Sequence, residues 1–421
     1  MPTRSTPSAV RLAAGVSANL DATLAAESVA EQVGGALGDH PDLAVLFVSG
    51  EHVGELTAII EHIRAAVRPS LLIGASAYGV VGGTEEIEEK PAVSLLAGEL
   101  PGVTVRTFRD SDLPRLDAED EDAPAAVARA LKLDDPPRGM VLLGDPFSFP
   151  ASPALSVLST VGNAFEDSPR VPIIGGMASS ARQAGQNVLI LDDQLLNAGA
   201  VGVCLSGAIE VGAVVSQGCR PIGSTLVVTD CERNIVKSLS GRPATTALRE
   251  TIDSLDHTER AQLEMGLFVG IVVDEYKDRF GRGDFLVRAV LGIDREQGHL
   301  AFGDLVRRGQ TVQFHVRDAQ TASEDLGLLL DGQRVRRPAA GALLVTCNGR
   351  GRRLFGRPHH DAQAVQRALG EALPGPEDPA ATPEVPTVPV AGFFAQGEFG
   401  PIGGQSHVHG HTASLAVFRS V

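Results

Sequence analysis

The sequence predicts an α/β fold of repeated β-α-β units with mixed sheets, plus a β-meander in the C-terminal domain. Three observations carry that expectation. Short all-apolar runs of strand length alternate with stretches whose apolar residues recur at helical spacing. The same order, closed by a glycine, returns three times. Between the second and third returns the period switches to short strands broken by Gly and Asp turns.

Taken in order, residues 43–48 form the first strand, and Leu56, Ile59, Ile60, Ile63 and Val67 then share one helical face until Pro69 stops the helix. A second strand at 71–73 closes at Gly74. The next copy reads strand 140–143, helix 155–165 and strand 172–174, closed by Gly175. The third reads strand 342–346, helix 361–369 and strand 388–391, closed by Gly392, and is longer because it holds a Pro-rich insert at 374–389, expected to be an extended loop. Each glycine leads through small residues into another apolar run, at 92–97, 200–205 and 414–418. This predicts an internal duplication in the N-terminal half and a related, elaborated unit in the C-terminal half. The meander covers 268–273, 285–293, 299–302 and 311–316, with a helix at about 243–255 before it and one at 322–330 after it, where Asp318 or Thr321 serves as cap. The boundary is placed where the strand 211–215 runs into Gln217, giving domains of residues 15–216 and 217–421.

Composition narrows the function classes. A chain of 421 residues exceeds what one core supports, and 43% apolar with 21% charged residues excludes disordered and collagenous chains. With 15 Phe, 2 Tyr and no Trp there are few platforms on which bases stack, and a formal charge of -16 repels a phosphate backbone, so no nucleic-acid partner is expected. The acids at 110–122 and Glu85, Glu86, Glu88 and Glu89 read as solvated loops, and the arginines from Arg334 to Arg357 as a solvated basic face. Cys204, Cys219, Cys231 and Cys347 form no CxxC pair, which excludes a zinc knuckle or disulfide scaffold and fits a reducing cytoplasm. No secretory signal and no membrane span are seen.

Ligands of α/β sheets bind beyond the carboxyl ends of strands. Five segments at such positions are rich in glycine and small polar residues: 74–83, 144–149, 175–186, 347–356 and 392–404. Glycine weakens folding unless a special backbone angle or a close approach requires it, so five such loops suggest a ligand cradle.

At these loops the residues resemble a known family. Cys347-Asn348-Gly349-Arg350-Gly351, Leu354-Phe355-Gly356, the run from Gly392 to Pro401, and His409-Gly410-His411-Thr412 resemble the C-terminal signature of FIST proteins. The N-terminal half is similar to the same family through the run from Leu72 to Gly79, Pro172-Ile173-Ile174-Gly175-Gly176 and the junction from Gln217 to Gly223, so the resemblance spans roughly 15–421. It implies a FIST N domain followed by a FIST C domain, a pair proposed as an intracellular sensory module for small ligands such as amino acids. In that family the module stands alone, is fused to signalling output domains, or recruits substrate in F-box proteins. No stretch of this chain is left for an output domain, so a separate signalling protein is the expected partner.

The candidate ligand-binding residues are therefore Cys347, Asn348, Arg350, Gly351, Gly397, Glu398, His409 and Thr412, with Gly74, Ser76, Gly175 and Gly176 in the N-terminal half. Arg350 is expected to pair bidentately with a ligand carboxylate and Glu398 to take an ammonium, unless the two pair with each other. Cys347 with Glu398 and His409 also permits a thiol hydrolase, and His407, His409 and His411, alternating along a strand, permit a metal site. The arrangement favours a binding protein over an enzyme, with no cofactor or metal, or else a protein-protein adaptor. His359 and His360 are expected to precede or cap the helix that follows.

Overall fold

Three copies of one chain path make up the larger of two compact units. The computed structural model describes residues 9–37, 40–117, 119–166, 168–370 and 387–421. The larger unit holds the described residues up to Val215 together with Leu326–Val408 and Thr412–Val421, and the smaller holds Ser216–Asp325 and His409–His411.

The first copy runs β1 (Arg11–Ser17), α1 (Ala22–Gly34), β2 (Leu43–Ser49), α2 (Leu56–Ala66), β3 (Leu71–Ala77), a hairpin of β4 (Gly79–Gly82) and β5 (Glu85–Glu88), then β6 (Val93–Glu99). The second repeats that order as β7 (Val103–Arg109), α3 (Ala123–Ala130), β8 (Pro137–Gly144), α4 (Ala151–Ser159), β9 (Ile173–Met177), a hairpin of β10 (Leu189–Leu191) and β11 (Gln194–Leu196), and β12 (Ala200–Gly207). The third opens with β13 (Ile209–Gln217) and is then interrupted in sequence. The interruption contains β14 (Cys219–Glu232), β15 (Ile235–Leu239), β16 (Arg242–Pro243), α5 (Ala244–Asp253), α6 (His257–Gln262), β17 (Leu267–Val272), β18 (Phe285–Asp294), β19 (His299–Phe302) and β20 (Thr311–Arg317). The copy resumes with α7 (Ala319–Arg334), β21 (Gly341–Cys347), the short α8 (Gly351–Phe355), α9 (His360–Gly370), β22 (Val390–Ala395), a hairpin of β23 (Glu398–Ile402) and β24 (Gln405–His409), and β25 (Thr412–Ser420). The expected duplication is thus a triplication, and the meander is an insertion within the third copy. The Pro-rich insert lies, up to residue 386, outside the described residues.

Each copy supplies four strands in one order: β1-β6-β2-β3, β7-β12-β8-β9 and β13-β25-β21-β22. Their central pairs β2–β3, β8–β9 and β21–β22 are parallel. The outer two strands of each of these three sheets come from another copy. Hairpin β10–β11 adds to β3, β23–β24 adds to β9, and β4–β5 adds to β22, so the copies are cyclically exchanged. Val45 and Phe47, Val141 and Leu143, and Leu343 and Val345 turn into one shared apolar core. The alternate residues Leu46, Leu142 and Leu344 turn the other way, under the helices of their own copy. Burial of both faces is why these strands read as unbroken apolar runs.

Gly74, Gly175 and Gly392 are within strands, directly across the parallel pair from Leu46, Leu142 and Leu344. A Cβ there would lie 2.2, 1.8 and 1.7 Å from the carbonyl oxygen of the facing leucine. The closing glycines therefore serve strand packing, which accounts for Gly74 and Gly175 without a ligand.

In the smaller unit the sheet runs β14-β20-β17-β18-β19-β15-β16, and the long β14 also pairs with β15, closing the sheet on itself. Ala244, Ala247 and Leu248 of α5 pack into its core. Asp318 caps α7 as expected, accepting from the Thr321 backbone at 3.2 Å. Among the described residues no helix is long and apolar enough to cross a membrane.

Gly392→Ala is expected to cost more than about 4 kcal/mol in urea unfolding, because the obstructing atom is backbone and cannot move aside. Gly332→Ala, in α7 with nothing within 4 Å of the added carbon, is expected to gain about 0.5–1 kcal/mol. Equal effects would contradict the packing role of the closing glycines.

Candidate functional site

The carboxyl ends of β21 and β22 are fastened together by Asn348. Its backbone N–H donates to the Ala395 carbonyl at 3.0 Å, and its side-chain nitrogen, turned toward β22, lies 3.2 Å from the carbonyl oxygens of both Phe394 and Ala395. Gly349 donates its N–H to the Cys347 sulfur at 3.4 Å. The chain then turns the Arg350 side chain inward, where none of it reaches solvent.

Arg350 donates from Nε and Nη2 to the two carboxylate oxygens of Asp361, at 2.7 and 2.9 Å. Asp361 stands in the first turn of α9 and also bonds Thr346 Oγ1 at 2.8 Å and His360 Nδ1 at 2.9 Å. Burial alone would raise the Asp361 carboxyl, but the guanidinium beside it holds it well below the usual carboxylate range. Phe355 stacks on His360 with ring centres 3.5 Å apart, and the guanidinium lies 5.2 Å from the Phe355 centroid. The bidentate partner expected from a ligand is thus an internal aspartate, and the Arg350–Glu398 pair weighed as the alternative is not the one formed.

Two exchanged hairpins bring carboxyl groups to this pair. Glu398, at the start of β23, is wholly buried, and its Oε2 accepts from the Thr412 N–H at 3.1 Å and the Thr412 hydroxyl at 2.8 Å. Burial pushes it up to about 8, against the opposing pull of Thr412, of a hydrogen bond with Cys347 and of the Arg350 charge. Glu86 of β5 accepts the Ala362 N–H at 2.8 Å, and burial, reinforced by the Asp361 charge, pushes it to about 8 as well. Glu88 accepts the Arg352 N–H at 3.1 Å. Gly351 has φ +53°, and a Cβ on it would sit 2.5 Å from Glu88 Oε1, so this turn needs glycine. Glu86 and Glu88 are therefore strand residues at helix N-termini, which corrects their reading as a solvated loop. Arg350, buried and paired, likewise does not belong to a solvated arginine face.

The other expected residues lie elsewhere. Ser76 is buried and accepts the Val188 N–H while sharing a hydrogen bond with Ser180, and that network continues through Asn187 to Asp145. Gly176 faces Glu398 across β9–β23, and a Cβ on it would meet the Gly397 carbonyl at 2.7 Å. His409 is buried at the end of β24. His411 is outside the strand, in a turn with φ +63°, its ring edge-on to Phe268 at 4.6 Å. The expected single-face histidine row is therefore broken. Among the described residues no group of three or more His, Cys, Asp or Glu side chains is placed to hold a metal ion. Sequence reasoning missed Asp361, Thr346 and Glu86. Asp361 reads as an ordinary acid in a first helical turn, and the alternation of Glu86 with apolar Ile87 was the available signal.

A chain of this construction, with sheets finished by one another's hairpins, matches two family descriptions in succession: the FIST N domain over residues 42–242 and the FIST C domain over residues 244–401. It belongs to the FIST family, whose domains are associated with sensory signal transduction. It is similar to Uncharacterized protein Mb0898c of Mycobacterium bovis, 38% identical over 413 residues covering 97% of this chain and 99% of the relative. It is equally similar to Uncharacterized protein Rv0628c of Mycobacterium tuberculosis, 38% identical over 97% of this chain and all of the relative.

Glu86 and Glu398 ordinarily ionise near 4.5 and stay protonated to about 8 in the fold. Between those values the unfolded chain binds fewer protons, so stability falls as pH rises from about 4.5 to about 8. Glu86→Gln and Glu398→Gln are each expected to flatten that decline in urea midpoints measured across the window, and an unchanged slope would contradict the burial described. Asp361 acts with the opposite sign, its contribution being lost in acid. Asp361→Asn strands the Arg350 charge and is expected to cost about 3–5 kcal/mol.

Proposed function

We propose that this protein is a sensory ligand-binding protein that receives a small metabolite, such as an amino acid, at the carboxyl ends of β21 and β22 and signals through a separate partner protein. One observation carries the reading. Arg350 Nη1, in a wholly buried side chain, has no hydrogen-bond partner among the described residues, and Glu398 Oε1, equally buried, is left short of partners, with the weakly bonding Cys347 thiol beside its carboxyl. Buried polar atoms are rarely left so, and each costs about 1–3 kcal/mol until something bonds it.

The same geometry specifies the ligand group. Thr412 directs two donors at Glu398 Oε2, which leaves Oε1 as the oxygen that carries the proton below about pH 8. Arg350 Nη1 and Glu398 Oε1 then both donate, and together they suit an acceptor such as a ligand carboxylate rather than the ammonium first expected at Glu398. The thiol-hydrolase alternative, with His409 as base and Glu398 as the orienting acid beside Cys347, is disfavoured by the same chemistry, since a protonated Glu398 has no charge with which to steady an imidazolium.

The test is a thermal-shift and calorimetric screen of the full chain with the common amino acids and the corresponding 2-oxo acids. Binding is expected to weaken about tenfold per pH unit above about 8 as Glu398 ionises. Glu398→Gln, whose amide still donates from the Oε1 position, is expected to bind without that dependence, and Arg350→Lys to bind weakly or not at all. Failure of every compound to shift the protein, or pH-dependent binding that persists in Glu398→Gln, would overturn the assignment.

A further inference from the structure

A groove of about 700 Å³ opens in the larger unit, lined by Pro136, Arg138, Pro169, Arg170, Val211 and Arg337 among others. It lies at the amino ends of strands. Arg138 is the second residue of β8, and Arg170 and Arg337 stand just before β9 and β21, so the groove is at the opposite end of β21 from Arg350. Pro136 and Pro169 fix the backbone of the two loops that wall it and present apolar rings. Pro137 and Gly139 on either side of Arg138 are buried, so the alternation of the strand turns Arg138 outward. Arg170 Nη1 donates to Gln405 Oε1 at 3.1 Å, and Arg337 Nη1 to the Ser420 carbonyl at 3.3 Å. One nitrogen thus holds each guanidinium in place, and the rest of its fork stays open.

Charge sets this groove apart in a chain whose formal net charge is -16. Among the described residues no carboxylate, that of Val421 at the rim included, forms an ion pair with Arg138, Arg170 or Arg337. Glu210 is the acidic side chain of the lining, and two other arginines already claim it. Its Oε1 lies 3.0 Å from Arg336 Nη1 and 3.9 Å from Nη1 of the fully buried Arg419. Three uncompensated guanidinium groups that face one groove repel each other, and an anion placed among them relieves that repulsion.

We propose that this groove binds a phosphorylated small molecule, with its phosphate on Arg138, Arg170 and Arg337 and its organic part against Pro136, Pro169 and Val211. A carboxylate has one charge and two oxygens, which a single arginine fork satisfies. A phosphate monoester carries a charge of about -1.5 to -2 and three acceptor oxygens, which suits three open forks. The volume falls within the range of about 300–1,000 Å³ typical of small-molecule sites, and the apolar walls would have no role for a bare phosphate. The groove shares no residue with the Arg350 site, so the proposal stands without that reading.

The probe is phenyl phosphate, titrated calorimetrically into the full chain at low salt beside benzoate and inorganic phosphate. Phenyl phosphate is expected to saturate one site and to bind about tenfold more tightly than either comparison compound, with affinity falling as salt is raised. Arg138, Arg170 and Arg337 are all exposed, so their removal leaves the core intact. Arg138→Ala, Arg170→Ala and Arg337→Ala are each expected to weaken binding about tenfold. Arg279→Ala, at an exposed arginine of the smaller unit, and Arg350→Lys are expected to bind phenyl phosphate as the unaltered protein does. No saturable binding, or losses in the three groove variants no greater than in Arg279→Ala, would overturn the proposal. Equal affinity for benzoate would overturn the choice of phosphate, and equal affinity for inorganic phosphate the organic part.

Discussion

The hairpin β4–β5 leaves its own copy to pair with β22, and β10–β11 and β23–β24 make the corresponding moves to β3 and β9. A parallel strand at a sheet edge presents unpaired N–H and C=O groups, and each copy covers that liability on another rather than on itself. No copy is complete alone, so the larger unit cannot be divided into three separately closed sheets. The candidate site depends on the same exchange. Arg350, Asp361 and Cys347 belong to the third copy's own strand-helix-strand path, whereas Glu86 and Glu88 arrive on the first copy's hairpin. Glu398 is carried by the third copy's hairpin to the edge of the second copy's sheet.

That delivery explains why three carboxyl groups crowd one arginine without three ion pairs. Arg350 commits two nitrogens to Asp361, and the fold keeps Glu86 and Glu398 neutral instead. For Glu86 the N-terminus of α9 favours the charged form, but by no more than about 2 kcal/mol in partly buried settings. Removal of a carboxylate from water costs several kcal/mol, so burial prevails and the proton stays. The site is therefore one fixed ion pair flanked by two acids poised near neutral pH.

The three strand-helix-strand passes were legible because strands covered on both faces leave unbroken apolar runs, and Pro69 and Gly74 punctuate them in the chain itself. The third copy was harder to recognise because β13 and α7 are separated by the whole of the insertion. Exchange of hairpins leaves no local signature, since pairing of β4 with β22 does not alter the period of either. For the same reason Glu86 read as a solvated acid. Gly74, Gly175 and Gly392 were rightly seen as under constraint, but a glycine opposite a leucine carbonyl and one in a phosphate-cradling loop look alike in sequence. Arg350 and Glu398 stood out because charged residues inside glycine-rich strand ends are few, while Asp361 was hidden by its ordinary place in a first helical turn.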